Sequence, residues 1–280
     1  RGEMKMFSNK ELRSMIITLF FEQLLVMLVG IVDTFVVSSC GEAAVSGVSL
    51  VNQFNTIFIY LFTALASGGA IIVSQYIGNK DEKRTVLSSS QLLMFSIVFS
   101  IVLSILVLIF NKQLLGLLFG KVESDVMEAC VTYLRISAYS YPALAIYNAG
   151  AALYRSMAKT KVTMYISFAA NIINVVGNII GVYVLKAGVA GVAYPSLISR
   201  VFSAIFITVL CFNKKWEAYY DSKDIFKFDR KMLKRILNIA IPNGIENGIF
   251  QLVKVALSSI VAMFGTYQIA ANGVAQSIWS

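Results

Sequence analysis

The chain has 280 residues, 58% hydrophobic and 14% charged, with a net charge of +9 and a mean hydropathy of +0.74. Soluble domains are roughly half apolar and a quarter charged, so a soluble globular class is excluded. There is no histidine, and Cys40, Cys130 and Cys211 lack ligand spacing, which excludes a zinc or haem site and a disulfide framework.

Spans are predicted at 12–37, 48–76, 86–110, 129–153, 162–184, 189–212 and 236–263, and an eighth begins near Gln268. An apolar run of about 20 residues suffices to cross a hydrocarbon core of about 30 Å. The charged N-terminus, Arg1 to Arg13, runs into a span too long for a signal-peptide core, so no cleavable leader is read. The one long link, 213–235, is charged and aromatic, and Asp229 is placed as the N-cap of the seventh helix. Eighteen Lys and Arg fall on the N-terminal side of the membrane against three on the other, which predicts a cytoplasmic N-terminus in a multi-pass protein of the cell inner membrane. The basic link reads as a topology anchor, not a nucleic-acid site.

An internal repeat follows from aligning Gly41 with Gly265, an offset of 224. The same offset sets Glu22 over Glu246. Six spans lie within one period, and an even number preserves orientation, so the repeats are parallel about an axis along the membrane normal. The expected fold is an all-α transmembrane bundle: a six-helix lobe at 1–212, a cytoplasmic link at 213–235, and the start of a second lobe at 236–280.

Three of the fifteen acids lie inside spans: Glu22, Asp33 and Glu246. A charge at the bilayer centre costs about 2.5–3.5 kcal/mol on insertion scales and faces a cavity or a partner. Eleven residues make three helical turns plus roughly 20°, so Glu22 and Asp33 share a face about 16 Å apart. Polar stripes at helical spacing accompany them. The second span carries Ser49, Asn52, Thr56, Tyr60, Thr63 and Ser67, and the fourth Tyr133, Ser137, Tyr141 and Asn148. Ser167, Asn171, Asn174 and Asn178 mark the fifth, and Asn243, Asn247, Gln251, Lys254 and Ser258 the seventh. Taken together, they predict a wet interior cavity. Ser96, Ser100 and Ser104 predict a packing seam on a third span that otherwise faces lipid, and Gly177-xxx-Gly181 and Gly244-xxx-Gly248 predict close helix contacts. Pro142 and Pro242 are candidate bends or hinges. Arg135 and Arg200 are read as lying near span ends with their heads at the interface.

The chain resembles the multidrug and toxic compound extrusion (MATE) transporters. Four stretches carry the resemblance: Val32-Asp33-Thr34-Phe35-Val36, Ser74-Gln75-Tyr76-Ile77-Gly78, Tyr154-Arg155-Ser156 leading to Asn171, Asn174 and Asn178, and Pro242 with Glu246. The resemblance implies a twelve-span, two-lobe antiporter that exports organic cations or amphipathic drugs in exchange for H⁺ or Na⁺. It assigns ion coupling, and any metal-ion ligation, to Asp33, supported by Asn174 and Asn178, with Glu246 as a second candidate. The family's second aspartate in the fifth span is replaced by Asn178, and the usual Gly-Asp-Thr-Lys turn reads Ala158-Lys159-Thr160-Lys161.

Glu22, Asn52, Tyr60, Asn171, Asn247, Gln251 and Lys254 are the expected cavity residues. The expected partners are an organic cation and the lipid bilayer, with no cofactor beyond the coupling ion, no nucleic acid and a monomeric full-length state. Two alternatives stand beside this: a lipid-linked precursor flippase, against which three internal acids and one internal lysine argue, and a non-transporting scaffold. No nucleotide loop, catalytic triad or metal cluster is present, so enzymatic activity is not expected.

Overall fold

A computed structural model describes residues 9–262 and 266–279. Eight long helices follow one another: α1 (Asn9–Ser38), α2 (Glu42–Gly78), α3 (Glu82–Phe119), α4 (Ser124–Ser156), α5 (Thr160–Ile179), α6 (Ala190–Cys211), then α8 (Arg230–Ala262) and α9 (Thr266–Trp279). A short α7 (Ser222–Ile225) lies in the link, and a π-helical turn, Ile180–Val184, extends α5. Among the described residues there is no strand. Most helices outrun the predicted spans by a turn or two. α3 outruns its span by more: it continues to Phe119 past a break at Phe110, where φ is −104° and ψ is 16°. Beyond the break its apolar side still packs, with Leu115 and Phe119 buried.

α1, α2, α3, α6 and α5 with its π turn are long and apolar enough to cross a membrane. α4 and α8 are as long but more polar. The reason for α4 is its position: it packs against α2, α3 and α6, and its Tyr133, Ser137, Ser140 and Tyr141 are buried. A helix shielded by other helices can carry polar groups that a lipid-facing one cannot.

Packing between the helices rests on small residues and backbone polar groups, because lipid offers apolar side chains no hydrophobic gain. Pro142 deprives the Ala138 carbonyl of its helical donor. Ser104 of the predicted seam fills the gap, donating to Ala138 O at 2.6 Å. Ser96 and Ser100 are buried beside it. Gly177 faces Pro195, and Gly181 faces the backbone of Gly191, where an added Cβ would lie 2.4 Å from a carbonyl oxygen. Gly244 meets only ordinary contacts with Ala64 and Leu61, and Gly248 meets none. Both Pro142 and Pro242 lie within continuous helices.

The link is bound tightly to the end of the lobe that carries the basic loops. Asp229 caps α8, accepting from Met232 N at 3.0 Å. Gln91 of α3 is fully buried; its amide donates to the carbonyls of Asp224 (2.6 Å) and Lys227 (2.7 Å) and accepts from Asp229 N (3.0 Å). Nearby, Asp221 N donates to Ser90 Oγ, Tyr219 to Glu82, and Lys159 lies over the Trp216 ring. Gln91→Ala removes three hydrogen bonds at a site closed to water. At about 1 kcal/mol each, the expected loss is about 3 kcal/mol, to be read as a fall in thermal stability of the purified protein.

Under the 224-residue shift α1 corresponds to α8 and α2 to α9. Gly265, used to set the alignment, lies outside the described residues. Ser49 and Gly273 are equivalent under this shift, and they touch: a Cβ at Gly273 would lie 2.0 Å from Ser49 Oγ. A residue meets its own repeat-mate only near a two-fold axis. Accordingly α1 packs on α9 and α2 on α8.

Candidate functional site

A cavity of about 390 Å³ lies where the two repeats meet. α1 contributes Asp33, Thr34 and Gly30, and α2 contributes Ser49, Asn52, Gln53, Thr56 and Tyr60. Tyr133 of α4, Val192 of α6, Lys254 of α8, and Gly273, Gln276 and Ser277 of α9 complete the wall. The N-terminal part of the α2 stripe therefore lines this cavity. Its last member, Ser67, lines a separate recess on the side of the basic loops with Ser74, Gln75, Arg155 and Ser156. Between the two, α2 closes on α8, with Gly68 against the backbone of Ala240 and Ala64 facing Gly244. Thr34 Oγ1 lies 3.1 Å from Ser277 Oγ, joining α1 to α9 across the cavity.

Asp33 accepts a hydrogen bond from the Asn178 side-chain amide. Asn178 is fully buried, and its own Oδ1 has no hydrogen-bond partner. Rotation of the amide by half a turn would present that oxygen, in place of the nitrogen, to a cation held by Asp33. One turn back, Asn174 Oδ1 lies 3.5 Å from Ser196 Oγ of α6, at the outer limit of a hydrogen bond. Tyr133 lines the same cavity wall as Asn52 and Asp33. Gln53 Oε1 is a second buried oxygen without a partner.

The other expected site residues are placed as follows. Asn52, Tyr60 and Lys254 line the cavity with Asp33, and the Lys254 ammonium also lies 4.9 Å from the Phe250 ring. Glu22 lies deeper along α1, accepting from Ser167 Oγ at 3.2 Å. Asn171 lines a shallow groove between α1 and α5, outside the cavity. Glu246 and Asn247 are exposed and do not line it. The side chain of Gln251 lies outside the described residues.

Arg200 requires correction. It lies in the middle of α6, not near an end, and its guanidinium donates to Ser140 Oγ of α4 at 2.7 Å. α6 turns this face toward α4, so the guanidinium lies inside the lobe near Tyr133 and Tyr141. Thr34, Gln53 and Ser196 join the site beyond the residues expected from sequence. Thr34 and Gln53 adjoin Asp33 and Asn52 in sequence, which is the signal that finds them; Ser196 carries none.

The arrangement is an all-helical bundle of membrane-spanning type, with polar groups turned toward a cavity where the two repeats meet. The chain belongs to the MatE family, whose family model matches residues 18–180. It is 26% identical to the uncharacterized transporter YisQ of Bacillus subtilis (strain 168), covering 93% of this chain and 57% of that protein. It is also 26% identical to the probable multidrug resistance protein YoeA of the same organism, over 84% of this chain and 52% of YoeA. The fold matches the outward-facing conformation of a multidrug resistance MATE family transporter of the MOP superfamily, with a TM-score of 0.82 and 22% identity, over 94% of this chain and 57% of that one. The chain thus spans a little over half the length of the relatives it matches.

Proposed function

We propose that the full-length protein is an antiporter that exports organic cations or amphipathic drugs in exchange for H⁺ or Na⁺. It works as a monomer in the inner membrane with its N-terminus in the cytoplasm. The observation that carries this reading is the hydrogen bond from the Asn178 amide nitrogen to Asp33, which lines the cavity, with Asn178 Oδ1 buried and unpartnered beside it. A carboxylate with amide oxygens nearby suits a small hard cation. A carboxyl drawn out of water also takes up a proton more readily. Either event neutralises Asp33, and a drug cation then loses its counter-charge. Tyr60 and Tyr133 add aromatic faces for such a cation. Asn174 and Ser196 supply further oxygens one turn away.

Competition tests the reading. Purified full-length protein is titrated with ethidium, followed by fluorescence, at rising H⁺ and at rising Na⁺. Displacement by one of the two is expected and identifies the coupling ion. Ethidium binding indifferent to both would end the proposal and favour a scaffold. Binding of an anionic lipid precursor in place of ethidium would favour the flippase.

A further inference from the structure

α1 and α5 share a second polar contact that the Asp33 site does not use. Ser167 donates to Glu22 and Asn178 to Asp33, and in both pairs the partners are separated by 145 residues. Equal separations mean that the two helices run in the same direction with one register, so the contacts are two rungs of one ladder. Eleven residues, about 16 Å, divide them.

The inner rung is built from oxygens. Ser167 Oγ lies 3.2 Å from Glu22 Oε1 and 3.1 Å from the Tyr147 hydroxyl of α4. Glu22 is partly buried and takes no part in the Asp33 cavity. The ionisable groups of this neighbourhood are Tyr147 and Arg155 of α4. Arg200 of α6 acts instead on Tyr133 and Tyr141, and Tyr60 of α2 lines the outer cavity. Between the rungs, α5 offers Asn171 and Asn174, so polar groups recur at each turn from Asn178 down to Ser167. A carboxylate in this part of a span, hydrogen-bonded to a neutral hydroxyl, is costly unless something cancels its charge. A structural bundle has no need of it.

We propose that Glu22, with Ser167 and Tyr147, is a second binding station for the coupling cation, on the basic-loop side of Asp33. A cation that leaves Asp33 passes down the α1–α5 seam and is held at Glu22 before release. The proposal rests on the reading of Asp33 as the coupling acid. Its chemistry is that of a small monovalent cation, H⁺ or Na⁺, balanced by one carboxylate.

The test counts cations on purified full-length protein by ²²Na⁺ binding and by proton uptake after an acid jump. Counted above the double variant, wild type is expected to take up two, Glu22→Gln one and Asp33→Asn one. Whether the lost cation is ²²Na⁺ or a proton names the ion. Ser167→Ala keeps the carboxylate and the count; it is expected to raise the half-saturating concentration about tenfold for Na⁺, which loses an oxygen ligand, and to lower it for H⁺, because the lost O–H bond favoured the ionised carboxylate. Glu22→Gln should leave ethidium binding at the outer cavity intact while coupled export in proteoliposomes falls. A wild-type count in Glu22→Gln, or a Ser167→Ala curve that overlays wild type, overturns the second station and leaves Asp33 standing. A wild-type count in Asp33→Asn overturns the Asp33 reading itself, and this proposal with it.

Discussion

Asp33→Asn in the full-length protein is expected to bring drug export to background while leaving the protein folded. The amide keeps the shape of the carboxylate and can still bond Asn178, so the α1–α5 contact survives. Removing one ionised group from a membrane interior is neutral or stabilising by about 1 kcal/mol or more, so thermal stability should hold or rise. What disappears is the charge. An organic cation in the cavity loses its counter-ion, and binding should weaken by about tenfold or more. The remaining binding should no longer respond to H⁺ or Na⁺, because nothing at this position can be neutralised. Ethidium titrations at two ion concentrations read both effects. An Asp33→Asn protein that exports like wild type would sink the central assignment.

The second large effect is structural. Gly181→Leu is expected to cost about 3 kcal/mol or more and to abolish export. An added Cβ would lie 2.4 Å from Gly191 O and 2.8 Å from Gly191 Cα, so the obstacle is backbone and cannot rotate away. α5 must therefore move off α6. That movement carries Asn174 from Ser196 and Asn178 from Asp33, since both asparagines are on α5. Gly116→Ala is the control, because nothing lies within 4 Å of its added Cβ. Fluorescence-detected gel filtration and a melting curve separate the two: the first variant should aggregate or melt early, and the second should match wild type.

Much of this arrangement was legible in the residues. The span order follows from apolar runs, the α8 cap from Asp229, and the repeat from a shift of 224 that brings Ser49 onto Gly273. Asp33, Asn52 and Tyr60 were readable because charges and amides in spans are costly and stand out against their surroundings. What sequence could not supply is helix rotation. Arg200 sits in an apolar helix with a weak stripe, so nothing in the text of α6 says that its side chain turns toward Ser140. Gln91 reads as one polar residue near a helix start, yet it holds three backbone groups of a segment more than 130 residues away. Glu246 and Asn247 belong to the stripe that carries Lys254, but they lie about two turns before it along α8 and do not line the cavity.

α4 is too polar to stay in lipid through its own composition, and this orders the assembly of the lobe. A nascent chain that has just released α4 offers the bilayer a segment rich in tyrosine, serine and asparagine, interrupted by Pro142. Its place has to be prepared by α2 and α3, whose Asn55 and Ser104 accept from Tyr141 and donate to the Ala138 carbonyl. α6 then closes the remaining side and brings Arg200 to Ser140. Insertion of this span is a packing reaction as much as a partition into oil, and its success is set by neighbours already in the membrane.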